Sequence, residues 1–367
     1  MRKPAKSKPA SKRKASRSEQ DPHCALALAY CRSVVAGEIV VGRMARAACK
    51  RHLDDLERKG WAYEFDEALA GRVCRFVEQC PHTKGDLAGQ PIKLEGWQAF
   101  LVVSIFGWVV KGTKRRRFRR ATVFVPRGNG KSTIASGAGL YCTAADGEGG
   151  AEVYSAASTR EQARIVFGDA QQMLRRKPAL KEALGLEVPI HAIVQFSSGS
   201  KFSALSREAD NFDGLNIHCA LVDEIHAHKT RELYDVIETG TAKRSRSLLF
   251  VISTAGSDTA GIGYEVYSYA RKVLGGLVKD ESLFAAIWEA DPEDDWTAES
   301  TWRKANPNWD VSVRPEVIGQ LAAKAQQVLS AQSAFQTKHL NRWMSADNPF
   351  FDTAAWNRCA DPSLSPP

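Results

Sequence analysis

An α/β fold with a mostly parallel sheet flanked by helices is what this 367-residue sequence predicts, and three stretches carry the prediction. Ala121-Thr-Val-Phe-Val125 is a β-prone run that feeds a Gly-rich turn, Pro126-Arg-Gly-Asn-Gly130. Lys131, Ser132 and Thr133 follow, in a stretch able to open a helix. Ile217-His-Cys-Ala-Leu-Val222 is a continuous apolar run closed by Asp223-Glu224, and Ser247-Leu-Leu-Phe-Val-Ile-Ser253 is another. Such unbroken runs mark strands buried on both faces. Strand, Gly-rich turn and Gly-Lys-Ser before a helix make the context of a phosphate-binding loop, so the expected sheet is that of a P-loop NTPase of the RecA/ASCE-like kind.

The remaining elements follow in chain order. Residues 23–58 have apolar positions at helical spacing, with Gly60 as a stop. Residues 64–80 and 94–110 read as second and third helices. The last contains Phe100-Leu-Val-Val-Ser-Ile-Phe-Gly-Trp-Val-Val110, too short to span a bilayer. The α/β core starts near 119. Glu152-Val-Tyr-Ser-Ala-Ala157 is a short strand, and Ser158 is placed to cap the next helix with Glu161 completing a capping box. Residues 191–196 and 201–205 read as a hairpin. Helices are expected near 230–243 and 263–274, and a strand at 283–288. An acidic turn covers 291–296, and 315–344 forms a helical hairpin or one long helix. The organisation is thus a basic tail (1–22), an N-terminal helical region (23–110), an α/β core (111–290) and a helical linker (291–367).

The formal charge is +9, yet residues 1–20 hold eight basic residues against one acid, which leaves about +2 for all that follows. That Pro/Ser/Lys-rich tail lacks a core-forming face, is expected to be disordered, and has no apolar segment of a signal peptide. It either adds non-specific phosphate affinity or is a solvated arm. A second basic run, Lys111 to Arg120, has three readings: contact with a nucleic-acid backbone, neutralisation of acids near the nucleotide site, or a solvated edge. The eight cysteines contain no Cys-x-x-Cys pair, which suits buried small hydrophobes in a reducing cytoplasm.

In the loop, the backbone N–H groups of Gly128, Asn129, Gly130 and the helix start would cradle phosphates. Lys131 would reach the β/γ-phosphates and the Ser132 hydroxyl would ligate Mg²⁺. The usual first glycine of the pattern is replaced by Val125. Asp223, at the end of its strand, would hold Mg²⁺, and Glu224 would polarise the attacking water. A helix N-cap would use the same two acids. Ser253-Thr254-Ala255-Gly256 either sense the γ-phosphate or simply leave the strand.

The order of motifs resembles the large terminase subunit of tailed double-stranded DNA phages, over roughly residues 25–360. The matching segments include Gly37-Glu-Ile-Val-Val, Leu94-Glu-Gly-Trp-Gln98, Phe118-Arg-Arg-Ala-Thr and Pro126-Arg-Gly-Asn-Gly-Lys-Ser132. Further along come Gln162-Ala-Arg-Ile-Val-Phe167, Asp213-Gly-Leu-Asn216, Val222-Asp-Glu-Ile-His-Ala-His228, Ala305-Asn-Pro-Asn-Trp309 and Leu340-Asn-Arg-Trp343. The resemblance implies an ATP- and Mg²⁺-dependent DNA-packaging motor. Arg127 matches its nucleotide-responsive arginine, Gln98 its adenine-reading glutamine, Asp223 and Glu224 its metal and water-activating acids, and Ser253 to Gly256 its coupling motif. It implies a homo-oligomeric ring with a neighbour's arginine at the γ-phosphate, for which Arg207 is the candidate. It also implies double-stranded DNA, a portal protein and a small terminase subunit as partners, no membrane, and a site at the procapsid vertex in the cytoplasm of a bacterial host. Family members carry a nuclease domain after the ATPase. Here the chain ends about where that domain is expected to begin, with Asp352 and Asp361 in linker-like sequence, so cutting activity is expected to be absent. The alternatives are a DNA-binding prophage remnant without turnover and, from the Asp223-Glu-Ile-His226 spelling, a helicase-type ATPase.

Overall fold

The structure, a computed structural model, describes residues 20–205 and 214–344, with only the backbone at residue 160. Two helices open it, α1 (Pro22–Ala36) and α2 (Arg43–Glu57). The single helical stretch expected over 23–58 breaks at Gly37, whose φ of 86° is a left-handed C-cap that a residue with a Cβ adopts at a cost. β1 (Tyr63–Phe65) and α3 (Glu67–Gln79) follow, then α4 (Gly96–Gly107) and β2 (Trp108–Val110). The third helix therefore stops three residues earlier than its apolar run suggests, because 108–110 pair antiparallel with β1.

The core runs β3 (Arg120–Phe124), α5 (Lys131–Ala144), β4 (Glu152–Ala156), α6 (Arg160–Arg176), α7 (Pro178–Ala183), β5 (Leu186–Glu187), β6 (Ile193–Gln195), β7 (Ser200–Leu205) and β8 (Ile217–Asp223). A 3₁₀ turn, Ile225–Ala227, leads to α8 (Glu232–Thr241), β9 (Leu248–Ser253), α9 (Ile262–Leu274) and β10 (Leu283–Ile287). α10 (Glu299–Ala305), α11 (Pro315–Gln327) and α12 (Leu329–Leu340) complete it. The cap of α6 is Thr159, whose hydroxyl accepts from Gln162 N. Ser158, the expected cap, instead donates to the Gln162 side chain at 2.5 Å.

One sheet has the order β10-β3-β9-β8-β4-β7-β6-β5. The six strands from β10 to β7 are parallel, and β6 and β5 join antiparallel at one edge. Strand periodicity divides the apolar runs between two cores. Cys219 and Leu221 of β8 and Leu248, Phe250 and Ile252 of β9 pack with α1–α6. Ala220, Val222, Leu249 and Val251 pack on the opposite face with α8 and α9. The C-terminal helices have their own small core around Trp302, Ile318 and Phe335. Among the described residues no helix is long and apolar enough to cross a membrane.

Four of the seven cations in the basic run are engaged within the fold. Arg116 pairs with Asp146 at 2.5 Å and Arg117 with Asp55 at 2.7 Å, both guanidinium groups almost without exposure. Arg119 donates to the carbonyls of Thr241 and Arg244, and Arg120 pairs with Asp280 at 2.6 Å. These charges pin β3 to its surroundings, leaving Lys111, Lys114 and Arg115 exposed.

Candidate active site

The phosphate loop lies at the carboxyl edge of the sheet because β3 ends there and α5 starts. Val125 N donates to Ser253 O at 3.0 Å, which keeps the chain parallel to β9 for one residue past Phe124. Gly128 and Gly130 then take φ of 87° and 74°, a region open chiefly to glycine. The first intrahelical bond runs from Ile134 N to Gly130 O. It leaves the N–H groups of Lys131, Ser132 and Thr133 without an intrahelical acceptor, as at any helix start, and they carry the positive end of the helix dipole. That is a site suited to anions. Asn129 is buried and Arg127 exposed.

β9 lies between β3 and β8, and Asp223-Glu224 ends β8 on the same edge. Lys131 Nζ reaches across to Glu224 Oε1 at 2.8 Å. Glu224 itself sits at φ 50° and ψ 49°, a left-handed conformation that costs a non-glycine residue about 1 kcal/mol. Strain at this position aims its carboxylate at the loop lysine. Burial alone would raise the Glu224 carboxyl, but the His226 ring and the Lys131 ammonium outweigh it and hold the group well below the usual carboxylate range. Asp223 is pushed the other way, to about 7, by burial first and then by the adjacent Glu224 charge. Its Oδ1 is buried without a hydrogen-bond partner among the described residues. A buried, unsatisfied carboxylate oxygen beside a serine-bearing helix start fits a hard divalent cation, which would supply the missing partner.

The Ser253–Gly256 segment touches this pair. His226 Nδ1 lies 3.1 Å from both Glu224 Oε2 and Ser253 Oγ, and Thr254 Oγ1 is 3.4 Å from the same Glu224 oxygen. Ala255 N donates to Asn341 Oδ1 at 2.6 Å, while Asn341 Nδ2 donates to Trp288 O. Met344 N donates to Gly256 O at 3.3 Å. The segment therefore sits between the acid pair and the C-terminal part of the chain.

Gln98 is buried at the start of α4, where its Oε1 accepts from Glu95 N at 3.0 Å in a capping box. Its Nε2 faces the loop, 3.5 Å from where a Cβ on Gly130 would stand. Arg207, Asp213, Asp352 and Asp361 lie outside the described residues. Sequence reasoning did not single out His226, nor the side chains of Asn306, Asn308 and Asn341 as partners of the site. His226 entered the sequence reading only through the Asp223-Glu-Ile-His226 spelling and the Val222–His228 segment, with no role assigned to it. The asparagines lie in two segments that match the family, Ala305–Trp309 and Leu340–Trp343, but their contacts with the site could not be read there, since the partners lie far away in sequence.

A family model described as terminase large subunit, ATPase domain, matches residues 96–272, and one described as terminase large subunit, endonuclease domain, matches residues 277–365. Protein YmfN of Escherichia coli K12 is 39% identical over 153 residues, which is 42% of this chain and 34% of that protein. The terminase large subunit of Enterobacteria phage HK97 is 26% identical over 300 residues, 81% of this chain and 57% of that protein. The crystal structure of the HK97 large terminase shares the fold with a TM-score of 0.65 at 22% identity, covering 81% of this chain and 60% of that one. The chain thus spans about a third to three fifths of the length of these relatives.

The second family match corrects the expectation that the nuclease domain is missing. Its range starts before β10 and takes in α10, α11 and α12. The expected boundary failed because β10 reads as one more apolar strand of the ATPase sheet, where it does pair with β3, and because a nuclease was sought only as carboxylates on a new strand. With an ATPase match, an endonuclease match and the mostly parallel phosphate-loop sheet, the chain belongs to the terminase large subunit family.

Proposed function

We propose that this chain binds Mg–ATP at Gly128–Thr133 and hydrolyses it as the ATPase of a motor that moves double-stranded DNA into a procapsid. The observation that carries this reading is the Lys131–Glu224 ion pair at the mouth of the phosphate loop, 2.8 Å across. A γ-phosphate competes with Glu224 for the Lys131 ammonium. When ATP enters, the ammonium turns to the phosphate and Glu224 loses a cationic partner. Its basicity then rises, and it can take a proton from the water that attacks the γ-phosphorus as ADP leaves. His226 and Thr254 hold the carboxylate meanwhile. Ser132 and Asp223 would hold Mg²⁺, which neutralises charge on the phosphates. Arg127, exposed on the loop, would touch the phosphates, and Gln98 would offer Nε2 to adenine, while its Oε1 keeps the α4 cap. Arg207 of a neighbouring copy would complete the site in a ring. Ser253 to Gly256 would pass the nucleotide state onward. A portal protein and a small terminase subunit as partners, and a place at the procapsid vertex in the host cytoplasm, belong to the same proposal.

Lys131→Ala is expected to abolish ATP binding. Glu224→Gln is expected to bind ATP yet lose turnover by a factor on the order of 10²–10⁴. Steady-state hydrolysis and equilibrium nucleotide binding, measured side by side, check the division. Equal loss of binding in both variants would refute it. A wild-type chain that binds but never turns over would favour a DNA-binding remnant.

A further inference from the structure

We propose that Asn129, Asn306 and Asn308 form a latch through which the C-terminal part of the chain holds the phosphate loop in its nucleotide-receiving shape. Asn306 and Asn308 are then positioning residues for a loop distant from them in sequence but in direct contact in the fold. The proposal rests on the nucleotide reading of the loop. Its basis is that three consecutive loop residues are tied to residues 306–338. Arg127 N donates to Lys338 O at 2.9 Å. Gly128 O accepts from Ser312 Oγ at 2.6 Å. Asn129 Nδ2 donates to Asn306 Oδ1 at 2.9 Å, and Asn129 Oδ1 accepts from Asn308 N at 2.9 Å, across sequence separations of 177 and 179.

All three asparagines are buried, at 1–4% exposure, and each has both ends of its amide engaged. Asn306 Nδ2 donates to Trp302 O and His339 O. Asn308 Oδ1 accepts from Trp97 Nε1 at 2.5 Å, and its Nδ2 donates to Ser312 Oγ. Only a planar amide supplies a donor and an acceptor in this arrangement: Asp lacks the donor, and Ser cannot reach both partners. Asn308 also joins the loop to the start of α4. Its Nδ2 lies 4.0 Å, and the Gln98 amide 3.5 Å, from where a Cβ on Gly130 would stand. A loop with two left-handed glycines around one asparagine has many conformations when free. The latch removes that freedom before the nucleotide arrives, which is preorganisation by residues outside the motif.

The test is ADP binding by calorimetry and steady-state ATPase on the full chain. Asn129→Ala is expected to weaken ADP by about tenfold or more and to raise KM for ATP more than it lowers kcat. Ser312→Ala, which deletes one exposed hydroxyl, is expected to move both constants the same way by less. Ile237→Val, a core change in α8 away from the loop, is expected to lower the unfolding midpoint and leave ADP affinity alone. Unchanged ADP affinity in Asn129→Ala and Ser312→Ala, beside a lowered midpoint, would make the asparagines structural only and overturn the latch. If Asn129→Ala does not fold, Ser312→Ala decides by the same criterion. A wild-type chain that does not bind ADP overturns the nucleotide reading, and the latch with it.

Discussion

Glu224 and Glu289 are the same side chain in opposite settings. Glu224 faces an ammonium and an imidazole that keep it charged. Glu289 is 3% exposed at the end of β10, where burial raises its carboxyl to about 7 despite the Tyr267 hydroxyl donating to it at 2.5 Å and the Arg271 charge nearby. The sign follows from proton binding. Between the ordinary glutamate value and about 7, the folded chain keeps the Glu289 proton while the unfolded chain has lost it. Raising the pH through that window therefore destabilises the fold, by up to on the order of 3 kcal/mol from this group. Glu289→Gln keeps an acceptor for Tyr267 and removes the titration. Thermal unfolding at pH 5 and pH 8 should show the variant gaining on the wild-type chain as pH rises. A gap that stays level between the two would mean that Glu289 is charged in the fold.

At the scale of elements, the turn after Glu224 is held from behind by a helix start. α9 begins so close to the turn after Glu224 that a Cβ on Gly263 would come within 2.7 Å of His226 Cα. Backbone cannot give way as a flexible side chain does. Overpacking of this kind costs about 1–3 kcal/mol, more than the roughly 1 kcal/mol that Ala gains over Gly inside a helix. Gly263→Ala should lower stability and displace His226 and Glu224, so turnover falls while ADP still binds. Gly168, within α6, has open space around its would-be Cβ. The same change there should raise stability by about 0.5–1 kcal/mol. Chemical denaturation of the two variants checks the opposite signs. This contrast also shows what the sequence makes legible. β3, β8 and β9 were readable because burial on both faces forces unbroken apolar runs, and the loop because Gly-Lys-Ser follows such a run. The break at Gly37, the end of α4 at Gly107 and the cap at Thr159 were not, since each depends on where the chain turns to meet a partner. Lys131 meeting Glu224 could be expected from two strand ends on one edge of the sheet, with β9 between them. Asn129 meeting Asn306 could not, because an asparagine before a proline reads locally as a turn.

Over the whole molecule, the two family matches meet between residues 272 and 277, but the structure has no seam there. β10 pairs with β3 over five residues, from Leu283 with Arg120 to Ile287 with Phe124. Arg51 donates to the carbonyls of Asp280 and Leu283, and Arg117 bridges Asp55 and Glu281. Farther on, Asn341 ties Trp288 to Ala255, and the asparagine latch ties 306–312 to the loop. Residues 290–340 do have their own small apolar core, the minimum that a separate folding unit needs. The small core is joined to the sheet by a full parallel strand and by buried hydrogen bonds, whose partners would be left unsatisfied at about 1–3 kcal/mol each if the C-terminal part opened alone. That cost favours one cooperative transition for the described C-terminal residues and the ATPase sheet. A ligand that binds only the folded loop must then raise the melting of both parts together. Differential scanning calorimetry with and without saturating ADP should give one main transition that moves upward as a whole. An early transition indifferent to ADP would show that residues 290–344 melt on their own.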